Sequence, residues 1–274
     1  MKLQKLLTAI ILSLSVSLSF AQKDNVPIGA RSSAMSGASA TLIDFWAVHN
    51  NQAAMASYTK IAVGVYYENR FLTKQLGLKC ISFVLPIKKA GVVGFNYSNF
   101  GYALYNESKI GLAYAKSFGK RIAAGVQLDY IYTRIGENYG HKGVVTFEAG
   151  LRAKIIKNLV LAAHIYNPIN IKIADYGNER IPLIFKIGLA YSFAEKAVLA
   201  IEVEKDNNFH PIFKTGFEYH ITKHIFLRMG IATNPMTYSF GTGFEFSKFK
   251  LDISASYHQV LGFSPQASLV YDIH

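Results

Sequence analysis

The sequence predicts an all-β protein: a transmembrane antiparallel β-barrel of about fourteen strands with a short N-terminal plug segment. Three observations carry this expectation. Side-chain character alternates in period two over segments of about ten residues, as in a strand with one face in lipid and the other in a lumen. No stretch beyond the first twenty or so residues reaches the roughly 18 uninterrupted apolar positions that a spanning helix needs. Short and long connections alternate along the chain, the asymmetry of bacterial outer-membrane barrels.

Composition points the same way. The 274 residues are 51% hydrophobic and include 19 Phe and 17 Tyr against one Trp. An apolar chain without a spanning helix must hide a large core or turn its apolar side to lipid through strands. Only helices and closed barrels satisfy every backbone group inside a bilayer. The aromatic residues exceed what a compact soluble core uses, and interfacial girdles would take many of them.

Residues 1–21 read as a secretory signal, with Lys2 and Lys5 ahead of the apolar run from Leu6 to Phe20 and small Ser19 and Ala21 at the cleavage point. The mature chain is expected to begin near Gln22 and to be exported to the outer membrane. No cysteine marks a lipid anchor, and Cys80, the only cysteine, has no partner for an internal disulfide.

Residues 22–58 are rich in small side chains and do not alternate. Too short to build its own core, this segment is expected to pack in the lumen or across the periplasmic mouth. Arg31 and Asp44 are its only Asp, Glu, Lys or Arg residues between Pro27 and Tyr58. Burying either one unpaired is costly. They should pair with each other or with lumen groups such as Glu148, Glu202, Glu218, Lys186 or Lys214. A structural anchor without a transport role explains the same two residues. Asn50, Asn51 and Gln52 are expected to cap or turn the chain into the first strand.

The barrel, 59–274, divides into candidate strands at 59–68, 75–86, 91–98, 108–118, 121–136, 142–156, 159–167, 181–193, 197–205, 211–221, 224–233, 238–246, 249–258 and 265–274. Less regular alternation in the second, third and seventh leaves twelve and sixteen strands open. In the clearest segments charge keeps to one parity. Val145, Phe147, Ala149 and Leu151 oppose Thr146, Glu148, Arg152 and Lys154; Phe185, Ile187 and Leu189 oppose Lys186 and Gly188. Glu148, Arg152, Lys186, Glu202, Lys214 and Glu218 are the expected lumen charges. Gly, Ala and Ser share that face with them, as suits a narrow, partly filled interior better than an open solvent face. Prolines are expected only before, between or at the margins of strands, since a ladder cannot spare a donor.

Short connections at 87–90, 119–120, 157–158, 194–196, 222–223 and 247–248 alternate with longer ones at 99–107, 137–141, 168–180, 206–210 and 259–264. An even strand number puts both chain ends and the short turns in the periplasm.

The formal net charge is +12. The lysines are spread over turns and strands and form no basic helix. Outer-membrane lipids and lipopolysaccharide are therefore the expected partners, and nucleic acid is not. His220 and His224 flank a turn rather than sharing one helical face, so the sequence predicts no metal site. Ser256, His258 and Asp252 fall on one strand face, and a Ser–His pair so spaced is similar to that of outer-membrane phospholipases. Positions i and i+2 lie about 6.6 Å apart on a strand, and the face is the expected lumen, so polar lining is the reading. With no phosphate-cradling loop, paired-Cys site or nucleophile elbow, neither an enzyme nor a cofactor is predicted.

The run Gly29-Ala30-Arg31, Ala34-Met35, Gly37-Ala38, Asp44 and Asn51-x-Ala53-x-Met55, directly before the first strand, resembles the N-terminal signature of FadL-like outer-membrane barrels, including the Bacteroidetes PorV/PorQ branch. Gln52 stands where that signature usually has proline, and Ser36 where glycine is common. The resemblance implies a fourteen-stranded barrel. The function expected is transport or capture of small hydrophobic molecules, with Phe100, Tyr102 and Tyr105 of an outer loop meeting the cargo. The PorV/PorQ likeness implies an alternative, a non-transporting accessory barrel that holds components of a type IX-like secretion system.

Overall fold

The computed structural model describes residues 26–136, 140–172, 180–194 and 196–273. The expected signal, 1–21, lies outside them, as do residues 22–25 of the N-terminal segment and parts of two long connections. Fourteen antiparallel strands close into one barrel. They are β1 (Ala62–Asn69), β2 (Gly77–Ile87), β3 (Gly91–Gly101), β4 (Tyr105–Phe118), β5 (Ile122–Ile135), β6 (His141–Ile156), β7 (Leu159–Tyr166), β8 (Ile184–Phe193), β9 (Ala197–Asp206), β10 (Ile212–His220), β11 (Ile225–Ala232), β12 (Thr237–Phe246), β13 (Phe249–His258) and β14 (Gly262–Asp272). Each strand pairs with its sequence neighbours, and β1 pairs with β14, from Ala62 opposite Asp272 to Glu68 opposite Gln266, so no edge is left open.

Alternation sets the register of the wall. Along β5, Ile122, Val126, Leu128 and Tyr130 are exposed, while Gln127, Asp129 and Thr133 are buried. A one-residue slip would turn every one of these side chains to the wrong face. Exposed aromatics gather toward the strand ends: Phe118, Phe193, Phe246 and Phe249 at the short-turn end, Tyr67, Phe213, Tyr238 and Phe263 at the long-loop end.

Two expectations need correction. Pro86 stays at the margin of β2, next to its last residue, but Pro265 lies inside β14, three residues past its first, rather than at the margin. The short β1 leaves room for each of them. Its ladder to β2 ends at Val84 and its ladder to β14 ends at Gln266. Each proline therefore lies past the β1 rungs, where that neighbour asks for no donor. The connection expected at 99–107 shrinks to 102–104, because β3 and β4 stay paired out to Gly101 opposite Asn106. Asn99 Nδ2 donates to Asn106 Oδ1 and Ser108 Oγ, both at 3.0 Å, a cross-strand polar pairing that extends the ladder.

Residues 26–58 lie within the ring of strands. They contain three short helical turns, α1 (Ala30–Ala34), α2 (Ala47–Asn50) and α3 (Gln52–Met55). The segment makes a circuit of the inner wall: α1 lies against β11 to β14, the turn at 38–42 against β8 and β9, α2 against β3, and α3 against β4 to β6. Glycines on the inner face make room for it. A Cβ on Gly125 would stand 2.5 Å from the Gln52 carbonyl carbon, one on Gly94 2.5 Å from Val48 Cγ2, and one on Gly216 2.5 Å from Met35 Cβ. Gly29 needs its own lack of a side chain: its φ is +104°, and Trp46 fills the Cβ position.

Candidate functional site: two cavities on either side of the N-terminal segment

Arg31 is the centre of the charge cluster that holds α1. Its guanidinium donates from Nε and Nη2 to the two carboxylate oxygens of Glu218, both at 2.8 Å, and from Nη1 to Asp44 at 3.2 Å and the Ile43 carbonyl at 3.3 Å. Glu218 also accepts from Arg228, which reaches on to Asp252, and lies 3.1 Å from His220. Burial favours the neutral guanidine, but Glu218 and Asp44 outweigh it and hold Arg31 above its ordinary range. Both pairings expected for Arg31, with Asp44 and with a lumen carboxylate, are present in the geometry.

The other expected positions of the segment lie nearby. Asn50 accepts from Ile28 N and donates to Ile28 O and Ser32 Oγ, bracing the chain ahead of α1. Asn51 caps α3, accepting from Ala53 N, and donates to Ala40 O. Glu202 accepts the backbone N–H groups of Ser39 and Ala40 at 3.0 and 2.8 Å. The sequence marks Glu202 as a lumen charge but not its partners, because nothing in it shows where adjacent amides turn inward. Lys214 bridges Glu202 and Glu204, with Lys186 3.5 Å from Glu204. Arg152 lies half-buried on the inner side of β6, apart from these clusters, and its Nε finds no hydrogen-bond partner among the described residues.

A second network fills the opposite side of the lumen. Glu148 is contacted by Lys109 at 2.7 Å, Gln52 at 2.9 Å, His164 at 2.9 Å and Gln127 at 3.2 Å. Above it Asn167 donates to the Ile181 carbonyl and accepts from Thr146, and Ile181 packs in one cluster with Ile131, Val144 and Tyr166. His49, buried beside Cys80 and Ser82, is pushed down to about 3, by burial first and by the Lys109 charge second.

Among the described residues, two cavities lie along β9 to β14 and β1. The one at the long-loop end has about 280 Å³ and is bounded by Phe71, Ile212, Pro235, Lys214, Ser256 and His258, with Ser33 and Ser36 from the segment at its base. The one at the short-turn end has about 220 Å³ and is bounded by Arg31, Asp44, Trp46, Tyr58, Phe244 and Lys250. Ser33 and Arg31, two residues apart on α1, thus face different cavities, and one turn of helix separates them.

Phe100, Tyr102 and Tyr105 are not among the residues bounding either cavity. Phe100 lies behind the outer one, its ring 4.7 Å below the Arg70 guanidinium. Tyr102 is exposed in the tight 102–104 connection, and Tyr105 donates to Glu107 on its own strand. The extended pairing of β3 and β4 holds them there. Phe71 takes the aromatic place at the outer cavity, from a connection that sequence reading did not weigh because it lies between strand segments and shows no periodicity.

No family model matches this chain, and no curated protein matches it by sequence. Solved structures do match in fold. A monoaromatic hydrocarbon channel, CymD, superposes with a TM-score of 0.69 at 12% identity, covering 92% of this chain and 99% of the other. The toluene transporter TodX of Pseudomonas putida gives 0.66 at 13%, covering 92% and 100%, and a FadL homologue of Pseudomonas aeruginosa 0.64 at 12%, covering 90% and 98%. The fold of this chain is that of the FadL-like barrels.

Proposed function

We propose that this protein is an outer-membrane channel that takes up small hydrophobic molecules, with residues 26–58 as the plug. The observation that carries the reading is the single helical turn of α1 between an outer and an inner cavity in one closed barrel. Apolar side chains ring the outer wall and lipid is the solvent they suit. The short turns, the start of β1 and the end of β14 share one side, which the reading assigns to the periplasm. A molecule entering from outside would gain apolar burial against Phe71, Ile212 and Pro235. It would pass inward when α1 shifts and the Arg31 cluster rearranges. The similar structures, two of them named as a hydrocarbon channel and a toluene transporter, support uptake over the accessory secretion role.

The test uses proteoliposomes whose outer leaflet carries lipopolysaccharide, because plain bilayers already admit hydrocarbons. Radiolabelled toluene or a medium-chain fatty acid should enter faster than into protein-free vesicles and saturate with concentration. Equal rates with and without the folded barrel would end the proposal.

A further inference from the structure

The outer cavity holds a polar feature that uptake of a plain hydrocarbon does not use. Ser36 Oγ donates to Ser239 Oγ at 3.0 Å, and Ser239 donates to Ser256 Oγ at 3.1 Å. Gln266 Nε2 also donates to Ser256, at 3.3 Å. Ser256 thus accepts twice, and its own proton is left for the cavity it lines. Two residues along the same face of β13, His258 Nδ1 accepts the backbone N–H groups of Val260 and Leu261, each at 3.2 Å. A ring that accepts at Nδ1 carries its proton on Nε2. The imidazole meets Phe71 edge to face, with centroids 5.9 Å apart. The Ser–His pair is therefore not a nucleophile and its base: Ser256 bonds to Ser239, and His258 is turned to its own turn. It is a pair of neutral donors above an apolar body of Phe71, Ile212 and Pro235.

The charges at this cavity are already matched. Arg70 pairs with Glu68 at 3.3 Å, and Lys214 with Glu204 at 2.6 Å. An anionic ligand would have to break one of these pairs, and a plain hydrocarbon would cover two donors without giving either an acceptor. We infer that the outer cavity selects small neutral molecules that join an apolar ring or short chain to one oxygen acceptor, held by Ser256 Oγ and His258 Nε2. This rests on the uptake reading for its role and names the class of cargo.

Three probes of nearly equal size separate the possibilities: acetophenone, ethylbenzene and benzoate. Equilibrium dialysis of the purified full chain in amphipol, with amphipol alone subtracted, reads their binding. Acetophenone is expected to bind saturably and at least about tenfold more tightly than the other two. Ser256→Ala and His258→Phe should each weaken acetophenone about fivefold or more and leave ethylbenzene within about twofold. Ser256→Thr, which keeps the hydroxyl, should bind as the parent does. Ethylbenzene or benzoate binding as tightly as acetophenone in the parent overturns the inference, whether or not the variants fold. Unchanged acetophenone binding in both folded variants does the same. Saturable ethylbenzene uptake into vesicles without any preference for acetophenone sinks this inference and spares the channel. Selective acetophenone binding without uptake of any probe sinks the channel and spares the site.

Discussion

Replacing Arg31 with alanine tests the link between charge pairing and closure. The substitution removes two 2.8 Å bonds to Glu218, one of 3.2 Å to Asp44 and one of 3.3 Å to a backbone carbonyl. Breaking a fully buried ion pair costs about 3–5 kcal/mol. Two features lower that here. Arg31 keeps 17% side-chain exposure, and Glu218 retains Arg228 and a contact with His220. About 2–4 kcal/mol remains, since charged hydrogen bonds contribute roughly 1.5–3 each and water can reach one side of the gap. If that energy holds α1 in place, its loss raises the population of displaced segment roughly thirtyfold to several-hundredfold.

Planar-bilayer recording and unfolding of the same samples measure the two consequences. Arg31→Ala should show frequent openings where the parent is nearly silent, and its gel-shift temperature should fall. A double-mutant cycle with Glu218→Gln should return a coupling of about 1.5 kcal/mol or more, because both substitutions remove the same bonds. Arg31→Lys should fall between, since a point charge cannot make the two-pronged contact. Conductance and stability equal to the parent, with additive single effects, would refute the view that this cluster locks the segment.

Other expectations follow from the packing. Gly125→Val forces a side chain onto the Gln52 and Ala53 backbone and should destabilise the barrel by about 1–3 kcal/mol, while Ala124→Val, one residue away on the outer face, should change the unfolding midpoint little. Lys109→Met takes the Lys109 charge from Glu148, which keeps Gln52, Gln127 and a contact with His164, and should cost about 2–4 kcal/mol in unfolding assays yet leave uptake of cargo unchanged, since that half of the lumen is filled. His49 titrates near 3 in the fold against about 6.5 when unfolded, so the unfolded chain takes up the proton first as pH falls. The stability that neutral His49 contributes is complete above about pH 6.5 and erodes toward pH 3 by about 1.4 kcal/mol per unit. The parent should therefore lose roughly 2–3 kcal/mol more than His49→Gln between pH 7.5 and 4.5, and parallel pH profiles would count against this burial.

The wall was far more legible in the sequence than the site. Alternation over segments such as 122–135 assigned each side chain to a face, because lipid and lumen impose opposite chemistry on adjacent positions. The isolated charges Arg31 and Asp44 were legible as members of a buried pair, since few side chains in the segment could compensate either. Cavity positions were not legible in this way. Phe71 reaches the outer cavity from a connection with no periodicity, and its placement depends on Ser264 Oγ accepting its backbone N–H from the far side of the barrel seam. The inner glycines could be read as small lumen lining. That they trace the path of residues 34–55 requires knowing how the segment is laid across fourteen strands, information no local window contains.

On the uptake reading, the two fillings of the lumen make the passage asymmetric. On the β4 to β8 side, Glu148 and its partners occupy the interior, and Asn167 holds Ile181 beside them. A molecule crossing there would have to strip several buried polar groups of their partners at once, each a loss of the order of 1–3 kcal/mol. On the β9 to β14 side the obstacle is one helical turn, Ala30-Arg31-Ser32-Ser33-Ala34, small but for Arg31 and tied to the wall by the Arg31–Glu218 pair. The N–H of Ala30 reaches Ser268 only at 3.3 Å, and Ser33 holds Tyr66 at 3.2 Å, neutral contacts that a modest shift can exchange for water. The route of least cost therefore runs down the β9 to β14 wall, and the residue whose loss most lowers the barrier along it is Arg31.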